Sequence, residues 1–239
     1  MRGSALNQSS VFRRRWWPLT QSFDLVECSC DDLSLAILRE VDRYTHSEQG
    51  IICKTEKYHN INSVFASVTN LTNVPTMFYI IPTKSIWSVL WSNSYLCDGY
   101  DSLCSNLTER YGYATVHFSS HDDTTTFLPG STMVYRRSSA DGVLERRVQA
   151  SIDDNDKWYF SATGAQQDFE LHENYAERKI KNRLNEEVME RTLSRLGADP
   201  WDEDLYNFGR SVHVVERTCF PARIDKKSPI ELLSRVPSE

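Results

Sequence analysis

Between Met77 and Gly112 the pattern of apolar and polar positions changes period from one segment to the next. MFYII is apolar at every position, as expected of a strand buried on both faces. After Pro82 and a Thr-Lys-Ser turn, Trp87, Val89 and Trp91 alternate with Ser88 and Ser92, predicting a second and more one-sided strand. Asp101 then stands before SLCSNLTERY, where Leu103, Leu107 and Tyr111 recur at four-residue intervals and Gly112 offers a left-handed exit, which predicts a capped helix. YATVHF returns to strand character, so the segment permits a right-handed strand-helix-strand crossover to a parallel neighbour.

The flanking sequence extends this pattern. FDLVEC reads as a strand, and Asp31 and Asp32 open a helix whose Leu33, Ile37, Leu38, Val41 and Tyr44 share one face. Residues 45–75 are polar, with one strand expected around VFASV. After YATVHF the segments TTTFL, STMVYRR, VLERRVQASI, KWYFSA and DFELH predict an antiparallel meander, with Asp141-Gly142 as its strongest hairpin signal. The longest predicted helix begins at Asn174, with Glu177 completing a capping box, and runs through Ile180, Leu184, Val188 and Leu193 to Gly197. SVHVVER supplies a last strand that returns to the sheet.

These elements predict an α+β fold, a mostly antiparallel twisted sheet with helices over 31–44, 101–111 and 174–196 packed on one face and one strand-helix-strand crossover. The predicted core includes Ile37, Phe78, Ile80, Trp87, Val89, Leu107, Val116, Trp158 and Leu184. The expected organisation is a flexible basic and aromatic arm over 1–20, a single domain over 21–222 and a C-terminal tail over 223–239.

With 239 residues, 6 Trp, 11 Tyr and 10 Phe, the chain can build one substantial core. Its net charge of −6 argues against duplex nucleic acid, whose binding rests on clustered Lys and Arg, and suits a basic protein partner. Neither a bilayer-length apolar run nor the apolar centre of a secretory signal is present, so a cytoplasmic location is expected. Cys28, Cys30, Cys53, Cys97, Cys104 and Cys219 lack CxxC spacing and read as thiols rather than a disulfide framework.

Candidate chemistry gathers in two stretches. In CDGYD and the strand after it, Asp98 and Asp101 pair two carboxylates, Cys97 or Cys104 could serve as a nucleophile, and His117 as a base. Each also has a structural reading, Asp98-Gly99 as a turn and Asp101 as a helix cap. In VHFSSHDD, His117, His121, Asp122 and Asp123 combine metal-ligand chemistry with ordinary turn chemistry. The run Asp153, Asp154, Asn155, Asp156 fails the EF-hand pattern because Lys157 and Trp158 stand where an oxygen ligand and a glycine are needed.

Gly-rich phosphate loops, GxSxG elbows, HExxH helices and kinase motifs are all missing. The sequence therefore leads to the expectation of a non-enzymatic cytoplasmic protein-binding protein, an acidic inhibitor or immunity protein that neutralises a basic toxin or enzyme without cofactor or metal. Its partner-binding residues would be Asp202, Glu203, Asp204, Asp153 and Asp154. The alternative is a hydrolase or transferase with a site near Asp98, Asp101, His117 and His121.

Overall fold

A computed structural model describes residues 15–16, 19–45, 50–96, 100–121, 129–153, 155–218 and 226–227. Its strands are β1 (Ser22–Val26), β2 (Ile51–Glu56), β3 (Leu71–Thr72), β4 (Met77–Pro82), β5 (Ser88–Ser92), β6 (Thr115–His121), β7 (Gly130–Ser139), β8 (Gly142–Ile152), β9 (Trp158–Thr163), β10 (Val212–Arg217) and β11 (Lys226–Lys227). Nine of them form one open antiparallel sheet in the order β2-β10-β4-β5-β1-β6-β7-β8-β9, and β3 pairs with β11 in a small ribbon. The helices are α1 (Cys30–Thr45), α2 (Ile61–Ala66), α3 (Tyr100–Tyr111) and α4 (Glu186–Leu196). The fold is α+β, as the alternating periods imply.

The expected crossover carries a refinement. β1 pairs antiparallel with both β5 and β6, so the two strands joined through α3 run parallel to each other with β1 inserted between them. The meander β6-β7-β8-β9 is antiparallel throughout, and the Asp141-Gly142 hairpin closes with Gly142 at φ 118, a conformation that favours glycine.

Side-chain alternation sorts the core into two layers. Phe23, Leu25, Tyr79, Ile81, Val89, Trp91, Val116, Phe118 and Val214 meet α2 and α4 on one face, whereas Val26, Phe78, Ile80, Leu90 and Val215 meet α1 and α3 on the other. The third long helix therefore lies opposite the first two rather than beside them. All of the predicted core residues are buried except Trp158, which is half-buried because β9 is the last strand of the sheet.

Several predicted elements differ for identifiable reasons. The first three residues of VFASV close helix α2, with Ser67 as its C-cap; the helix is set by Asn60, whose side chain accepts from the Ser63 amide while Ser63 Oγ accepts from the Asn60 amide. The 45–75 segment instead contributes β2, one edge of the sheet. The helix expected from Asn174 is replaced by two short 3-10 turns, His172–Ala176 and Ile180–Asn182, and α4 starts only at Glu186. Asn185 is its cap, accepting from the Val188 amide at 2.9 Å. DFELH is no strand: Glu170 within it is drawn into a buried ion pair with Arg146, with Nη2 to Oε2 at 2.8 Å, and Tyr175 and the Gln167 amide also donate to Glu170. Most of the 1–20 segment and the strand expected at TTTFL lie outside the described residues, but Trp16 stacks near Phe65 with centroids 5.6 Å apart and donates to Asn62.

Candidate functional site

The α3 side of the sheet carries the chemistry. Because Phe23 and Leu25 face the aromatic layer, the pleat turns Asp24 towards α3, where it is completely buried. His117 stands directly opposite on β6, and its Nδ1 lies 2.9 Å from Asp24 Oδ1. In the tautomer protonated at Nδ1 the ring donates to that oxygen, and the contact holds the imidazole's orientation. Cys104, on the inward face of α3, brings its Sγ to 3.1 Å from the same oxygen. Oδ2 of Asp24 and Oγ of Ser22, two residues away on the same face, are buried with no hydrogen-bond partner among the described residues.

One turn before Cys104, Asp101 belongs to a separate network. The α3 helix starts at Tyr100, so Asp101 sits within its first turn and not at the cap position the sequence suggested. Its Oδ1 accepts from Arg136 Nη2 and its Oδ2 from Arg147 Nη2 at 3.2 Å. Arg136 is buried on β7 and also reaches Glu145 through Nε at 2.8 Å. Burial pushes the Asp101 carboxyl up, but the two guanidinium groups outweigh it and hold the group below its usual range.

Electrostatics limits what these groups can do. Burial, reinforced by the Asp24 carboxylate, raises the Cys104 thiol far above its ordinary value, so it is not a nucleophile in this state. His121, farther along β6 with Nδ1 3.3 Å from Gln21 Oε1, is pushed down to about 4 by burial and by nearby His117. The pair Asp24–His117 has the form of an oriented imidazole, and the Cys104 thiol is engaged with the same orienting oxygen.

No protein-family model, curated protein or solved structure matches this chain. Its own geometry therefore carries the reading.

Of the residues singled out in the sequence, His117 and Asp101 both lie beneath α3 but engage different partners. Asp98, Cys97, Asp122, Asp123 and Asp154 lie outside the described residues. Among the described residues no three His, Cys, Asp or Glu side chains are grouped as a metal requires. Sequence reasoning missed Asp24 and Arg136. The signal for Asp24 was present, since a carboxylate in the middle of the apolar run FDLV reads as a deliberately buried charge.

The acidic residues behave differently. Asp202, Glu203 and Asp204 are exposed on a 3-10 turn, where Asp202 accepts from the Asp204 amide at 2.9 Å and Glu203 accepts from Asn62 Nδ2 at 3.1 Å. Asp153 closes the β8–β9 turn by accepting from the Asn155 and Lys157 amides. A shallow recess on the α4 side is lined by Asp168, Phe169, Arg195 and Leu196 and includes none of these candidates.

Proposed function

We propose that the protein acts by binding another protein, most concretely as an acidic inhibitor or immunity protein that neutralises a basic toxin or enzyme in the cytoplasm. The observation that carries this reading is the contrast between two sets of groups. The carboxylates of Asp202, Glu203 and Asp204 are exposed on a turn tied down by its own cap and by Asn62, while His117 and Cys104 are buried and engaged with Asp24. A fixed acidic cluster on a chain of net charge −6 attracts and orients a basic surface at low cost in side-chain order. Asp153, with Asp154 next to it in sequence, adds a separate acidic turn between β8 and β9, several strands away in the sheet order.

The test begins with capture of partners from native cells on the immobilised protein at low salt, followed by kinetics with the purified partner. The on-rate should fall as the Debye length shrinks from roughly 30 to 8 Å, with the off-rate changing less. Glu203→Lys with Asp204→Lys should slow association, while Asp202→Asn should keep the turn because an amide oxygen also caps. An association rate indifferent to both salt and these reversals would remove the acidic-inhibitor reading.

A second reading, a hydrolase or transferase near Asp98, Asp101, His117 and His121, is favoured by the Asp24–His117 bond alone. A turnover that disappears in folded His117→Asn would put catalysis in place of binding.

A further inference from the structure

Among the described residues, the two edges of the main sheet are unlike each other. On β2 the edge carries Lys54, paired with Glu216 at 3.1 Å, and Glu56, charges of the kind that discourage strand addition. On β9 the edge runs Trp158, Tyr159, Phe160, Ser161, Ala162, Thr163 with no charged side chain.

Which β9 amides face outward follows from the register. Ile152 donates its amide to Pro129 on the β7 side at 3.2 Å, so its pairing with Trp158 is the non-hydrogen-bonded kind. Trp158, and by the two-residue period Phe160 and Ala162, therefore direct their own N–H and C=O groups away from β8, towards the open edge. Tyr159, Ser161 and Thr163 direct theirs into the ladder.

We infer that β9 pairs with β9 of a second copy of this chain, antiparallel about a two-fold axis at Phe160, joining two sheets edge to edge. In that register Phe160 meets Phe160 at the axis, while Trp158 faces Ala162 and Tyr159 faces Ser161, so the pairs flanking the axis set a large side chain against a small one on both faces. No like charges come opposite each other anywhere in the strand, a self-complementarity that an isologous interface requires. A register with its axis between two residues, such as one pairing Phe160 with Ser161, would set outward amides against inward-turned groups and leave them unmatched. The inference is independent of the inhibitor reading, because it concerns the purified chain alone.

Sedimentation velocity at micromolar to tens of micromolar concentration tests it. The wild-type protein should sediment with the mass of two chains and dissociate on dilution. Ala162→Asp, which places a carboxylate against the indole of Trp158 of the other copy at an exposed position, should shift it to the mass of one chain. Ala162→Pro should do the same, since it deletes an outward amide that β8 does not use. Unchanged circular dichroism and melting would show that both variants fold, and Ile52→Lys on the β2 edge should leave the mass of two chains in place. A wild-type protein that stays at the mass of one chain, or a dimer that survives both folded Ala162 variants, would overturn the inference.

Discussion

Glu170 is the most heavily engaged carboxylate described. It accepts from two nitrogens of Arg146, from Tyr175 and from the Gln167 amide, and both members of the ion pair are buried. Removing one member leaves the other charge buried without compensation, so Glu170→Ala should cost about 3–5 kcal/mol in urea unfolding. Glu170→Gln should cost less, because it keeps an acceptor for Tyr175 and the amide. Cys104 and Cys53 offer a second contrast at this scale. Cys104 is wholly buried and Cys53 exposed on β2, so a thiol alkylating agent followed by mass spectrometry should label Cys53 in the native protein and Cys104 only on unfolding. Labelling of native Cys104 at a comparable rate would contradict the buried Asp24–His117–Cys104 cluster. The sequence pointed to His117, yet its principal partner, Asp24, is distant along the chain and nothing local announces the pairing.

At the scale of elements, legibility followed the density of local signals. The α1 and α3 segments carry unbroken apolar periodicity and acidic first turns, and both helices formed close to the expected ranges. The 174–196 segment carried the same periodicity but also a better cap at Asn185, followed by Glu186 and Glu187 in the first turn. Upstream, Tyr175 packs on Phe160 at 5.2 Å and Arg183 lies over the same ring at 5.3 Å, contacts that a continuous helix need not satisfy. Tertiary packing thus overrode a helical pattern. Asn185→Ala should cost about 0.5–2 kcal/mol by urea unfolding, whereas Asn174→Ala should change stability by much less. Equal losses would mean that the helix really begins where the sequence pattern starts. The VFASV segment shows the converse, because β-branched and aromatic residues resembled a strand while the Asn60 and Ser63 capping box decided for a helix.

For the whole molecule, acid should destabilise in two steps. His121 titrates at about 4 when folded against 6.5 as its ordinary value, so the unfolded chain binds that proton first. Stability from this neutral imidazole is fully present above pH 6.5 and is lost as pH falls towards 4. Asp101 is held below 3.8, so its contribution, already reduced by solvent exposure, is present above that value and lost only at more acidic pH. Urea midpoints measured from pH 7.5 to 3 should therefore fall first through the histidine range. His121→Gln should flatten that part of the curve, and Asp101→Asn the part below it. A wild-type midpoint constant between pH 7 and 4.5 would show that the half-buried His121 is not held neutral by the fold.

The placement of β10 between β2 and β4 also orders events in time. Synthesis proceeds from the N-terminus, so every other strand of the main sheet leaves the ribosome before Val212. The block from β4 through β9 can assemble around β1 while β4 still ends in a bare row of amides, and β2 has no strand to hold until β10 arrives. The last strand of this sheet to be made is thus a wedge that both seals one half and recruits the other. Nascent chains stalled before residue 212 should be protected from protease over β4–β9 and cleaved within β2, and once released they should aggregate through the uncovered flank of β4.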